Sequence, residues 1–157
     1  METPYTVRDI YDTAIRLMDA QNESTGDTDT TDTKEYCLRT PSLLNSILDR
    51  VYPASDTYPR AARGAAPTPT RRPICPKVST MEDPVALDGR LCAGVLPYGL
   101  AGLLLAEENP ALAAFFWQTF QEELESARRS LAAETESVED VYGCLRDSLA
   151  YGRFSRW

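Results

Sequence analysis

From Leu91 to Ala106 the chain runs 16 residues without a charge, LCAGVLPYGLAGLLLA, and Asn109-Pro110 follows almost at once. Leu91, Cys92, Val95, Leu96, Leu100, Leu103 and Leu104 are spread nearly all round a helix, which marks an element surrounded by others. The run falls short of the roughly 20 apolar residues that a bilayer crossing needs, and it holds Pro97 and three glycines, so no membrane span is expected. The pattern predicts a helix from Leu87 or Asp88 to about Glu107. Pro97 should kink it, because proline lacks the N–H and its ring crowds the preceding turn. Gly94, Gly99 and Gly102 leave room for a neighbouring helix to approach closely. Asn109 then caps a further helix, with Pro110 in the first turn where a missing donor costs nothing. Leu112, Phe115, Phe116, Phe120, Leu124, Ala127 and Leu131 are placed on its inward face. The break at Glu108-Asn109 predicts a central antiparallel helix hairpin that buries Leu100 and Phe116.

The other helices carry clear signals. Thr6 with Asp9 forms a capping-box pattern, and Val7, Ile10, Tyr11, Ala14, Leu17 and Met18 recur on one face. Arg8, Asp9, Asp12, Arg16 and Asp19 occupy the other. Thr40-Pro41 reads as the start of a second helix, with Leu43, Leu44, Ile47, Leu48 and Val51 inward and Pro53 as its stop. Tyr36 and Leu38 form a short helical or extended lead-in. Ser137 and Asp140 open a shorter fifth helix with Val138, Val141, Tyr142, Leu145 and Leu149. The predicted fold class is all-α, a small helical bundle. Residues 1–149 form one helical domain with a loop insertion at 54–80, and residues 150–157 form a C-terminal docking arm.

Charge divides this body unevenly. The net charge is -8 over 157 residues, with a pI of about 4.6. Asp56 to Lys77 carries five cations (Arg60, Arg63, Arg71, Arg72, Lys77) against Asp56 alone, a local +4 that leaves -12 on the rest. Such an acidic body is repelled by phosphate, which argues against general DNA or RNA binding. The same basic stretch contains five prolines (Pro59, Pro67, Pro69, Pro73, Pro76). It reads either as a solvated loop or as extended arms that engage acidic surface. Residues 21–33, QNESTGDTDTTDT, are too polar to offset their ordering entropy as a packed element and read as a loop. Asp27, Asp29 and Asp32 in it lack the glycine and closing glutamate of a calcium loop.

Catalytic chemistry finds no foothold. The chain has no histidine, the usual proton carrier near neutral pH, and no GxSxG, P-loop or GxGxxG. Cys37, Cys75, Cys92 and Cys144 are separated by 38, 17 and 52 residues, without a CxxC pair, so zinc is not expected. They read as reduced core thiols. Glu107/Glu108 and Glu122/Glu123 read as solvated surface. No enzyme activity, cofactor or metal is expected. METPYTVRDIYD has no basic segment followed by an apolar one, so no signal peptide is expected either. The aromatics point instead to protein contact. Trp117 falls off the apolar face of its helix, and the end of the chain alternates aromatics with cations in Tyr151, Arg153, Phe154, Arg156 and Trp157.

Three features together resemble the head-tail connector (adaptor) proteins of tailed bacteriophages. They are the N-terminal amphipathic helix followed by Thr33-Lys-Glu-Tyr36 and Leu43-Leu-Asn45, the hairpin LCAGVLPYGLAGLLLAEENPALAAFFWQTFQEELE at 91–125, and the aromatic C-terminus. The resemblance implies a structural virion protein of the neck, assembled in the host cytoplasm as a ring, typically a dodecamer, beneath the portal protein. Its partners would be copies of itself, the portal and a downstream tail or neck protein. Double-stranded DNA would pass through the ring without sequence-specific binding, and no membrane would be involved. Tyr151, Arg153, Phe154, Arg156 and Trp157, with Arg60, Arg63, Arg71 and Arg72, are the candidate partner-binding residues. A cytoplasmic helical assembly chaperone or regulator that binds one protein partner is the alternative reading.

Overall fold

The computed structural model describes residues 4–58 and 73–130. Among these, five α-helices and one 3-10 turn make an all-α protein with no strand. The fifth predicted helix near 138–149, the arm at 150–157, Leu131 and Cys144 lie outside the described residues.

Helix α1, Val7–Leu17, begins as its capping box predicts. Thr6 Oγ1 accepts from the Asp9 amide, and Asp9 Oδ2 accepts from the Thr6 amide at 2.8 Å. The next two donors are satisfied from far along the chain. The Val7 amide donates to the Asp83 carbonyl at 3.1 Å and the Arg8 amide to that of Met81 at 2.8 Å. Every orphan N–H of the first turn therefore has a partner. Val7, Ile10, Tyr11 and Ala14 are buried as the periodicity requires, and Ile15 joins them, while Leu17 and Met18 sit half-buried.

The 21–33 loop is held more firmly than its composition suggests. Tyr11, fully buried, sends its hydroxyl to the Thr28 and Thr33 carbonyls, and Thr28 Oγ1 donates to Asp12 at 2.6 Å. Arg8 pairs with Asp29 at 2.6 Å. Side chains on α1 thus offset the ordering entropy that the loop cannot offset itself.

Helix α2, Lys34–Val51, corrects the expected start at Thr40-Pro41, because Pro41 lies inside it. Thr40 does not cap. It is fully buried, and its hydroxyl donates back to the Tyr36 carbonyl at 2.7 Å. The earlier turn is held by Tyr36, whose hydroxyl donates to Glu108 Oε2 across the molecule. That tie and the burial of Tyr36 offset the hydrogen bond that Pro41 cannot make. The helix passes into a 3-10 turn, Tyr52–Ala54, with Pro53 at its start.

The predicted third helix is broken, not merely kinked. Helix α3, Gly89–Gly94, is capped by Asp88, whose Oδ1 accepts from the Leu91 amide at 3.1 Å. Val95 interrupts at φ -114, ψ -54, and α4 runs Leu96–Leu104. Pro97 so falls in a first turn, where its absent donor is not needed. Helix α5, Pro110–Ser130, opens with Asn109 Oδ1 accepting from the Leu112 amide at 3.1 Å. The connection between α4 and α5 spans residues 105–109, longer than the two-residue break expected from sequence.

Helix α4 is the centre. Leu96, Pro97, Gly99, Leu100, Ala101, Gly102 and Leu104 are all buried, and α1, α2, α3 and α5 each pack against it. Leu100 is fully buried and Phe116 is 5% exposed, as the pattern predicts. At Gly99 a β-carbon would lie 2.8 Å from a Phe120 ring carbon and 3.0 Å from Ile47. That glycine is required by the close approach of both α5 and α2.

The described ends of the 54–80 insertion, residues 54–58 and 73–80, are anchored to the helices. Ser55 is fully buried and its hydroxyl accepts from the Asp88 amide. Beyond residue 72, a strap without regular structure crosses the outside of α2. Asn45 clamps Val78 from both sides, accepting from its amide at 2.9 Å and donating to its carbonyl at 2.7 Å. One turn on, Asp49 accepts from the Cys75 amide at 3.1 Å. Cys75 and Val78 face inward and are buried. Asn45→Ala would leave both Val78 groups short of a partner, at an expected cost of about 1–2 kcal/mol. Hydrogen exchange should show the Val78 amide losing protection while the Leu100 amide keeps it.

Candidate protein-interaction surface

The nine candidate partner-binding residues, Arg60, Arg63, Arg71 and Arg72 with Tyr151, Arg153, Phe154, Arg156 and Trp157, are not among those described. The described surface offers a different set. Leu38 is 74% exposed, Ile74 70% and Phe115 61%.

Phe115 corrects the expected inward face of α5. Phe115, Phe116 and Trp117 are consecutive, and successive residues diverge by 100° around a helix, so three large rings cannot share one side. Phe116 and Phe120 take the core, with Ala113, Leu124 and Ala127. Phe115 is left outward, beside half-buried Leu112 and exposed Ala111. Its surroundings are uncharged from Asn109 to Gln121, and five carboxylates (Glu107, Glu108, Glu122, Glu123, Glu125) bracket that stretch.

Trp117 was expected to be an exposed anchor, and it is not. It is half-buried, with its ring 4.9 Å from that of Phe120 and the Arg50 guanidinium lying over it, 5.4 Å from the ring centroid. Tryptophan offers a cation the strongest ring quadrupole, and α2 supplies that cation from its last turn.

The second outward patch lies on α2 and the strap. Leu38, Ser42, Asn45 and Asp49 follow helical spacing on one face, opposite the buried Leu44, Ile47, Leu48 and Val51. The strap occupies this face at Asn45 and Asp49 and turns Ile74 and Lys77 outward, while Leu38 and Lys34 stand beyond its reach. Arg39, at the edge, pairs with Glu35 at 3.6 Å. Leu38 is legible as an anomaly, since it falls in line with the polar Ser42, Asn45 and Asp49 rather than with the core leucines.

Among the described residues the electrostatics activate no thiol. Burial pushes the Cys75 thiol up to about 11, helped by Asp49, and the Cys92 thiol up to about 12, helped by Asp88. Burial also raises Cys37. All three thiols therefore stay protonated and poorly nucleophilic near neutral pH. Burial and the bond to Glu108 hold Tyr36 up at about 12, so it remains a donor. Asp83 is lowered by the Thr80 hydroxyl and the Ser79 and Thr80 amides, which tie the strap's turn. Among the described residues no cluster of three His, Cys, Asp or Glu side chains could hold a metal, and no helix is long and apolar enough to cross a membrane.

No family model, curated protein or solved structure matches this chain.

Proposed function

We propose that the chain is a structural virion protein that forms a ring between the portal and the tail or neck of a tailed bacteriophage and extends the DNA channel. The observation that carries the reading is the pair of outward apolar patches, at Phe115 on α5 and at Leu38 and Ile74 on α2 and its strap. Exposed apolar groups rimmed by charge are what a protein-binding surface presents, and a ring subunit needs two such surfaces of different kind. The resemblance of 91–125 to connector proteins supports the choice of a virion role. In this reading α4 and α5 are the central antiparallel hairpin, the Pro/Arg-rich loop meets acidic surface on a neighbour, and Tyr151 to Trp157 dock on the portal. The overall charge of -8 suits a channel through which DNA slides without sticking.

Mass spectrometry of purified particles tests the proposal. The chain should be present at a fixed ratio to the portal, and deleting residues 151–157 should prevent its incorporation while leaving helical content and melting unchanged. A chain abundant in infected cells and missing from particles would instead be an assembly chaperone.

A further inference from the structure

The two outward patches differ in charge as well as place. Around Phe115 the described chain from Glu107 to Ala127 has five carboxylates; Glu108 is engaged by the Tyr36 hydroxyl and Glu125 by Arg128 at 2.7 Å, which leaves Glu107, Glu122 and Glu123 for a partner. Around Leu38 and Ile74 stand Lys34 and Lys77, both exposed, with Arg39 at the edge. The carboxylates on that side are already engaged, Glu35 by Arg39 and Asp49 by the Cys75 amide. One patch is apolar with an acidic rim, and the other is apolar with a basic rim.

Within one molecule the patches cannot meet, because each lies on the outward side of a helix whose inward side packs on α4. We propose that they meet between copies, with Phe115 and Leu112 of one chain seated against Leu38 and Ile74 of the next. A two-fold contact through Phe115 alone would set the acidic rim of one copy, Glu107 and Glu122 to Glu123, against the acidic rim of the other, and like charges across an interface disfavour it. The heterologous contact places those carboxylates opposite Lys34 and Lys77 and leaves one unused patch at each end of a growing chain of subunits. Ile74 adjoins Cys75, which is bound at Asp49, eleven residues and about 16 Å along α2 from Leu38. The receiving surface therefore takes about three turns of α5 laid along it, from Leu38 at one end to Ile74 at the other. A handful of side chains does not reach the roughly 800 Å² per partner of a stable pair, so the contact is weak alone and gains from ring closure.

This inference rests on the ring reading above for its biological setting, but its test does not. Sedimentation of the full-length chain from micromolar to millimolar concentration should show concentration-dependent self-association that passes beyond the dimer. Phe115→Asp, and separately Leu38→Asp with Ile74→Asp, should each weaken it by about tenfold or more, with helical content and melting preserved because all three positions are exposed. Mixing the two variants should give dimers and nothing larger, since each retains one intact patch. Glu122→Lys with Glu123→Lys should weaken association as well, and Lys34→Glu with Lys77→Glu in the partner should restore it. A wild-type chain that stays monomeric throughout, variants that associate as wild type does, or mixtures that remain monomeric would each overturn the contact. Particles that contain the chain alongside an unaffected Phe115→Asp variant would overturn the contact and leave the neck reading standing. Loss of association in a chain absent from particles would do the reverse.

Discussion

Phe120→Ala should destabilise the protein by about 3–5 kcal/mol, the range for truncating a buried aromatic. Phe120 is fully buried, with 0% of its surface open to solvent. Its ring touches the helix backbone at Gly99 on α4 and lies 4.9 Å from the Trp117 ring. The surroundings are poorly able to collapse into the vacated space. Gly99 has no side chain to swing in, and Trp117 is held on its outer side by Arg50. The expected value therefore lies toward the upper end, and urea unfolding followed by far-UV circular dichroism measures it. A midpoint shift worth less than about 1 kcal/mol would mean that α5 is not packed on α4 at this point.

Gly99→Leu attacks the same contact from the other side and should cost at least the ~3 kcal/mol that marks severe overpacking. The first added atom would already lie 2.8 Å from Phe120 and 3.0 Å from Ile47, so α2, α4 and α5 must separate to admit the rest. Gly99→Ala should be milder, because the gain of about 1 kcal/mol in helix propensity offsets part of the clash. Because the two sites touch, Gly99→Ala combined with Phe120→Leu should destabilise by less than the two changes summed. Thermal unfolding of the four-member cycle reads that coupling, and strict additivity would place the residues apart.

Local signals in the sequence are legible where the partner is also local. The Thr6–Asp9 capping box, the Asn109-Pro110 start and the burial of Leu100 follow from residues within a few turns of one another. The failures share a cause. Thr40-Pro41 looks like a helix start from inside its own window, and what overrides it is Tyr36 reaching Glu108, 72 residues away. Phe115 was assigned to the core because its type is apolar, although its angular position beside Phe116 denied it a place there. The strap gave no signal, since Asn45 and Asp49 bind backbone groups of Val78 and Cys75. Any residue except proline carries an amide, so that pairing leaves no trace in side-chain pattern. For the partner-binding residues, composition singled out the basic loop and the aromatic terminus, whereas the described surface adds Leu38, Ile74 and Phe115.

The first turn of α1 has a consequence for the order of synthesis. Its Val7 and Arg8 amides are satisfied by the carbonyls of Asp83 and Met81, and the Tyr5 carbonyl accepts from Val85 at 2.8 Å. At a translation rate of ~5–20 residues per second, the ribosome needs about 4–15 seconds after making that turn to supply its partners. Through that interval α1 is an amphipathic helix with an open end and no α4 to cover Ile10 and Tyr11. The nascent chain therefore completes its oldest helix late, and a truncated product ending before residue 81 should leave the ribosome with its apolar face available to chaperones.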